Sequence, residues 1–442
     1  MQIITIYDFL LLPLYLFLFY CVINIKSKKY GNTPLRKYFI TAFFIHMAGS
    51  ILYAFVIQYY YGYGDSFGYY RSSEFMTEQV FGNDINIFNY LFVSAKEYGN
   101  IYDSFKTGDT AMLSLFSNSA NLTVVKIAAT FSFISFGKYL VITTFFGLFS
   151  FLGIWKLFYT FNSILQSKSQ KLLAYTILFT PSICFWGSGL MKDSICLGCV
   201  GFLVYYLHQT FIIKHFSIKN IFIILINFYL LFMIKSYIAS SLLAALVLAY
   251  TFYIILIRKT NIISLFLILI VVSSGFIILT ISLSSNLESI IDDSKANIEV
   301  FKGAYANSSE IDETSMAGFK GADFEVTAGS LIARSPLAIF STLFRPFLWE
   351  SKKIIVLFSA MESFIILLAT VYLLFLCRVG RFFYYIFTDP YLIFCFSFTM
   401  LMCIIIGFST FNFGTLVRYR LPILPFYFFL LISIYTKHTA KN

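Results

Sequence analysis

Apolar residues run in long stretches along the chain instead of alternating with polar ones. About eleven stretches are predicted as membrane helices: residues 4–25, 38–60, 139–161, 172–190, 194–211, 220–234, 237–257, 262–284, 354–377, 390–409 and 421–436. A full crossing takes about 20 apolar residues, and some of these stretches are shorter. Segments 220–234 and 237–257 are parted only by Lys235 and Ser236, which reads as a tight turn or as a kink between membrane-embedded half-helices. A spanning β-barrel is excluded, because its strands would alternate polar and apolar positions. The pattern predicts an all-α polytopic membrane protein, a single integral domain over residues 1–442.

Polar positions gather into two long loops, 61–138 and 285–353, while the loops between them are a dozen residues or fewer. Charge orients the bundle. If loop 26–37 is cytoplasmic, the segments on its side (26–37, 162–171, 212–219, 258–261, 378–389 and 437–442) hold 15 Lys and Arg in 52 residues. The other side holds 16 over roughly three times that length. Cytoplasmic loops are the denser in Lys and Arg, so both long loops are predicted to be external. The N terminus is then external and the C terminus cytoplasmic, as for an integral protein of a bacterial inner membrane. The first apolar run lacks a basic leader and a small-residue cleavage site, and so reads as an anchor.

Within loop 61–138, the short apolar stretches 87–93 and 124–136 are predicted interfacial or re-entrant helices. The stretch 285–330 is acidic and punctuated by Gly303, Gly318, Gly321 and Gly329, as a lid over a site would be. No internal repeat is present, so the inverted-repeat plan of many transporters finds no support.

Composition sharpens the class. Of 442 residues 59% are hydrophobic and only 12% charged, with a mean hydropathy of +0.81. Soluble domains average about 25% charged residues. The net charge of +11 and pI of about 9.1 come largely from basic loops facing anionic lipid, and nothing points to nucleic acid. There is no P-loop, no GxGxxG after a strand and no HExxH, so ATP-driven transport and zinc proteolysis find no support. The seven cysteines lie mostly inside apolar runs, and Cys196-x-x-Cys199 has no companion pair, so they read as packed thiols. His46 and His208 are single histidines in apolar spans, and Glu362 is an acid expected to be paired within the bundle.

Three constellations could carry chemistry. In Gly62-Tyr63-Gly64-Asp65-Ser66-Phe67-Gly68-Tyr69-Tyr70, an acid follows the second span at the external boundary. Asp65 there suits a general base that deprotonates an acceptor hydroxyl; the alternative is an Asp-Ser helix cap in a glycine turn, with Tyr69 as a lining residue. Next, Pro181 through Asp193 turns a span back on itself. Lys192 and Asp193 sit at the boundary beside Trp186-Gly187-Ser188-Gly189, either as site residues or as a snorkelling lysine and an Asp193 cap. Last, Lys192, Lys235, Arg334, Arg345, Arg418 and Arg420 place positive charge on the external boundary, against the usual bias. Such cations pair with acids such as Glu350, or bind an anion; phosphate and pyrophosphate suit the planar arginine fork.

An acid just after an early span, a large first external loop and a Pro-kinked span resemble the GT-C superfamily of integral membrane glycosyltransferases. The segment Arg418-Tyr419-Arg420-Leu421-Pro422-Ile423-Leu424-Pro425 is similar to the R-Y-x-x-P-x-x-P element that opens a late span in many bacterial members. The resemblance implies a polyprenyl-phosphate-linked sugar as donor, a glycan or lipid acceptor, and Asp65 as the catalytic base or metal-linked acid. On that reading the boundary cations Lys192, Arg345, Arg418 and Arg420 are expected to hold the donor phosphate, with Asp193, Lys235, Tyr69, Trp186 and Glu350 lining the site, although the turn 186–193 and the Arg345 segment are not widely shared family motifs. The chain departs from the pattern in an extra N-terminal span and in having no second acid next to Asp65, which leaves a divalent metal an open matter and no cofactor assigned. O-antigen-type polysaccharide polymerases share the span number, large loops and external arginines. A transporter or flippase of a lipid-linked or anionic solute is the alternative outside enzymes, and a structural subunit of an envelope complex is a third.

Overall fold

The computed structural model describes residues 3–82, 93–95, 97, 115–116, 118–166, 169–257, 328–351, 354–410 and 413–440. The predicted segment 262–284, the acidic stretch 285–327 and the apolar stretch 87–92 lie outside the described residues. Among the described residues every regular element is helical. Seven helices are long and apolar enough to cross a membrane: Ile6–Tyr30, Pro34–Tyr61, Tyr139–Ile164, Lys192–Ile212, Ile218–Ile254, Ile354–Cys377 and Pro390–Ser409. Phe413–Tyr419 and Leu424–Thr439, bent by 64°, form a broken eighth. The chain is thus an α-helical protein with the helices of an integral membrane protein.

Among the described residues two of the expected stretches differ for local reasons. The stretch 172–190 divides, because Pro181 has no N–H to give and pushes Thr180 into an extended conformation. Segments 220–234 and 237–257 form one helix, Ile218–Ile257, broken at Lys235, whose backbone leaves helical geometry (φ −146°, ψ 81°).

We number the helices α1 Ile6–Ser27, α2 Pro34–Phe55, α3 Asp65–Phe81, α4 Ser119–Ser135, α5 Tyr139–Ile164, α6 Gln170–Leu178, α7 Pro181–Phe185, α8 Lys192–Leu207, α9 Ile218–Ile257, α10 Ala328–Phe344, α11 Ile354–Cys377, α12 Val379–Phe387, α13 Pro390–Ser409, α14 Phe413–Tyr419 and α15 Leu424–Thr439. Helix α4 takes up the stretch 124–136 expected to be helical. The chain forms two compact units, one of Met1–Ile164 with Ala174–Lys235 and one of Leu165–Leu173 with Ser236–Asn442.

In the first unit α5 is central, packed against α2, α8, α1 and α4. Glycines set the α5–α8 spacing: a Cβ on Gly201 would lie 2.1 Å from the Gly153 carbonyl oxygen, and one on Gly153 2.2 Å from that of Gly198. Helices in lipid associate by such close packing, since lipid offers no hydrophobic drive between them.

The unit is polar along its length. At one end Asp8 Oδ1 accepts from the Leu140 N–H (2.9 Å) and Ser66 meets the Tyr139 hydroxyl (2.8 Å), so the start of α1, the start of α5 and the turn after α2 lie together. At the other end Trp155 donates to the Tyr30 hydroxyl (2.6 Å), and Lys156 Nζ sits 3.7 Å over the Tyr205 ring. Helices α1, α5 and α8 therefore run the same way, and residues 174–191 carry the chain back between α5 and α8. Lys219 acts on Lys156 while Lys235 meets Asp193, so residues 218–235 of α9 alone run from one end of the unit to the other.

In the second unit α10 packs on α13, where a Cβ on Gly407 would lie 2.7 Å from Ala338 and Thr342 donates to the Cys403 carbonyl (2.9 Å). Helix α15 packs on α13 through Phe398 and Phe426, and on α11 through the Thr370–Tyr427 hydroxyl pair (2.8 Å). Lys437 pairs with Asp389 at 2.5 Å. One face of α11 exposes Phe358, Ile365 and Phe375, as a lipid-facing helix does.

Candidate functional site

The turn after α2 is built on glycine. Gly62 takes a left-handed conformation (φ 69°), and its N–H donates to the Ile57 carbonyl at 2.9 Å. Gly64 (φ 140°) occupies the capping position of α3. Asp65 is therefore the first helical residue and not the cap, exposed at the N-terminal end of α3, where a carboxylate is favoured by the helix dipole. Ser66 is buried against Tyr139. Tyr69 is buried too, its hydroxyl given to Asn121 Oδ1 at 3.0 Å, so it braces α3 on α4. One residue on, the Tyr70 hydroxyl lies 2.5 Å from Glu74 Oε1 and 2.8 Å from the Gly137 carbonyl. Burial pushes the Glu74 carboxyl above the usual carboxylate range and the Tyr70 phenol far up.

The turn before α8 makes the close approach that its glycines suggest. A Cβ on Gly189 would lie 2.4 Å from the Tyr53 ring, and one on Gly187 2.7 Å from Leu197. Trp186 is buried edge-on to Tyr53 and Phe185. Ser188 is buried with His46 Nδ1 at 3.2 Å. Trp186 thus serves as a packed wedge holding the turn.

Met191 caps α8, so Asp193 is its second residue and the expected Asp193 cap does not form. Asp193 is buried and its Oδ1 lies 2.5 Å from the buried Lys235 Nζ. A kink in one helix thus delivers a lysine to the first turn of another. Lys192 is half-buried. Among the described residues it makes neither an ion pair nor a side-chain hydrogen bond, and the charges it feels are Lys235, Asp65 and Asp193. Asp65, Lys192, Asp193 and Lys235, four of the residues singled out from sequence, are therefore neighbours.

The arginines belong to the second unit. Arg345 follows α10, and its guanidinium grips Glu350 with two nitrogens, Nε at 3.1 Å from Oε2 and Nη2 on Oε1. Glu350 Oε2 also accepts from the Phe347 N–H at 2.8 Å, closing a compact hook over residues 345–350. Arg420 lies in the break between α14 and α15 and is fully buried. Its Nη1 donates to the Arg345 carbonyl (2.9 Å) and Ser363 Oγ (2.8 Å), and Nη2 reaches Glu362 at 3.8 Å. Arg420 Nε has no acceptor among the described residues. Arg418, two residues earlier, is half-buried.

Two pairings were legible as possibilities, Glu350 with an external arginine and Glu362 with a partner in the bundle. Ser359 and Ser363 were missed; their signal is the i, i+4 spacing that sets both beside Glu362 on one face of α11. Among the described residues no three His, Cys, Asp or Glu side chains group as metal ligands. Comparison with known proteins finds no matching family model, no matching curated protein and no matching solved structure.

Proposed function

We propose that this protein is an integral membrane glycosyltransferase, moving a sugar from a polyprenyl-phosphate or polyprenyl-pyrophosphate donor to a glycan or lipid acceptor of a bacterial envelope. The observation that carries the reading is the half-buried Lys192 ammonium, without a hydrogen-bonded partner among the described residues and within electrostatic reach of the exposed Asp65 at the ends of membrane helices. A lipid-linked phosphate arrives at that depth, its tail in the bilayer and its head at the boundary.

In this reading Lys192 and the first-turn N–H groups of α8 hold the donor phosphate. The acceptor hydroxyl oxygen attacks the anomeric carbon as the bond from that carbon to the phosphate oxygen breaks. The bonding electrons leave with the phosphate, and the hydroxyl proton passes to Asp65. Lys192 stabilises the charge that grows on the leaving phosphate. Asp193 is held by Lys235 and keeps Lys192 from being the sole charge of the turn. Arg345 and Arg420 each meet an acid within the second unit and take no part in this site. The separation of Asp8, Asp65 and Asp193 from the lysines of the opposite end supports an orientation with Asp65 and the N terminus external; the density of Lys and Arg in the short loops is the argument for an inner-membrane protein with a cytoplasmic C terminus.

The test is transfer of a labelled sugar from a polyprenyl-phosphate sugar by the full-length protein in vesicles. Asp65→Asn abolishes transfer but leaves donor binding, and Lys192→Gln weakens donor binding at least tenfold. Undiminished transfer by the Asp65→Asn protein refutes the assignment. One observation favours a second reading, a transporter of an anionic lipid-linked solute: Lys235 sits at the break of a long apolar helix and Arg420 at the break of another. Donor-independent flipping of the lipid in the same vesicles would select it.

A further inference from the structure

The end of the first unit remote from Asp65 has a composition of its own. Lys156 sits eighteen residues into α5, half-buried, its Nζ 3.7 Å over the Tyr205 ring and 5.6 Å from the centre of the Tyr206 ring. The charges that act on it are Lys29, Lys26 and Lys219, three more lysines and no acid. Among the described residues none of the four has a carboxylate partner. The acids at the starts of α1, α3 and α8, Asp8, Asp65 and Asp193, lie at the opposite end.

These lysines do not hang on a loose tail. The Trp155–Tyr30 hydrogen bond (2.6 Å) pins the end of α1 to α5, and Lys29 Nζ lies 4.7 Å over the Tyr30 ring. A chain of rings continues from Tyr30 to Tyr159 (6.1 Å), Tyr205 (6.3 Å) and Tyr206 (5.0 Å). The hydroxyls of Tyr159, Tyr205 and Tyr206 have no protein partner among the described residues, and all three residues are half-buried. Three lysines thus lie within electrostatic reach of Lys156 beside a row of tyrosine rings, with no acid among the charges that act on it. Ile25 and Ile218, next in sequence to Lys26 and Lys219, are exposed apolar residues, as expected where acyl chains lie against the same surface.

We propose that this lysine–tyrosine cluster is a binding site for the headgroup of an anionic membrane lipid carrying two phosphate groups, of the diphosphatidylglycerol kind. One phosphodiester carries a single charge and would leave most of the cluster unmet. Two phosphates on one headgroup offer oxygens to the ammonium groups and to the tyrosine hydroxyls together. The exposed isoleucines take the acyl chains, which distinguishes a lipid from a soluble pyrophosphate of the same chemistry. The site stands on a different surface from Asp65 and does not depend on the transferase reading.

The experiment is a lipid titration of the purified full chain in phosphatidylcholine nanodiscs, read by native mass spectrometry. Diphosphatidylglycerol, phosphatidylglycerol and inorganic pyrophosphate are each added. The wild-type protein retains diphosphatidylglycerol in preference to phosphatidylglycerol. The variant K26Q/K29Q/K219Q changes only exposed side chains, leaves the Lys156–Tyr205 packing intact, and loses roughly 100-fold in retention at about fivefold per lysine. Lys219→Glu alone, a single exposed change of two charge units, loses about 25-fold. Equal retention by wild type and the triple variant overturns the site. Lysine-dependent binding of pyrophosphate that displaces the lipid overturns the lipid as its occupant.

Discussion

The buried Lys235–Asp193 pair makes the sharpest demand on the first unit. Its charged atoms are 2.5 Å apart and both side chains are under a tenth exposed. At an effective dielectric constant of about 20, Coulomb attraction at that distance comes to about 7 kcal/mol. Desolvating each ion costs several kcal/mol, so the pair as a whole is close to neutral for stability. Removing one partner is different, because it strands the other charge, and costs about 3–5 kcal/mol. Asp193→Leu and Lys235→Met are each expected to lower the melting temperature of the detergent-solubilised protein by roughly 6–20 °C, at about 2–4 °C per kcal/mol for a unit of this size. The double variant D193L/K235M removes both charges and is expected to recover most of that loss, a coupling of about 3 kcal/mol or more in a double-mutant cycle. The readout is thermal unfolding followed by size-exclusion of the protein remaining in solution. Additive losses, or single variants that melt within 2–3 °C of wild type, would show that Lys235 reaches polar surroundings on its own and that the kink in α9 is not held by Asp193.

Gly201→Ala is expected to cost several kcal/mol and to lower the melting temperature, because the new Cβ meets the Gly153 carbonyl at 2.1 Å and α5 and α8 must part; Gly380→Ala, with open space around its Cβ, is the control and gains up to about 1 kcal/mol. Arg420→Met withdraws the donors from the Arg345 carbonyl and Ser363 and the cation beside Glu362, for about 3–5 kcal/mol in thermal unfolding, while Arg420→Lys keeps the charge without the fork and falls between. Burial raises the Glu74 carboxyl above its value in the unfolded chain. The folded state then binds the proton more tightly, so stability falls as pH rises from the ordinary carboxylate range through the raised value. Glu74→Gln should flatten that slope in melting temperatures taken from pH 4 to 8; an unchanged slope would place the titrating group elsewhere.

The membrane character of the chain was legible from its apolar runs, because a helix in lipid must be apolar nearly all round and for long enough to span. The breaks were not. Whether Lys235-Ser236 is a turn or a kink depends on an ion pair with a residue 42 positions away, and no local pattern carries that information. Pro181 announced an interruption, yet its cost in helix length became clear only where α6 stops at Leu178 and α7 runs five residues. Asp65 and Asp193 were both weighed as caps, and both stand one or two places inside their helices, with Gly64 and Met191 in the capping positions. Each shift moves a carboxylate off local backbone duty.

The boundary cations were legible as a set and illegible as individuals. Six were singled out because positive charge on the sparser side needs a counterpart, and sequence alone offered salt bridges and a bound phosphate equally. The structure sorts three of them by partner: Arg345 with Glu350 five residues on, Arg420 with Glu362 and the backbone of residue 345, and Lys235 with Asp193. The Arg345 guanidinium grips a carboxylate with two nitrogens, which leaves little of its fork for a phosphate, and Arg420 is fully buried with Nη1 on the Arg345 carbonyl and Ser363. Lys192 differs from them: its neighbours Asp65 and Asp193 are an exposed acid and an acid already taken by Lys235. A cation kept half out of water without a hydrogen-bonded partner costs free energy that an arriving anion would return. That imbalance at the first turn of α8 is the physical reason to look for substrate there rather than at the arginines.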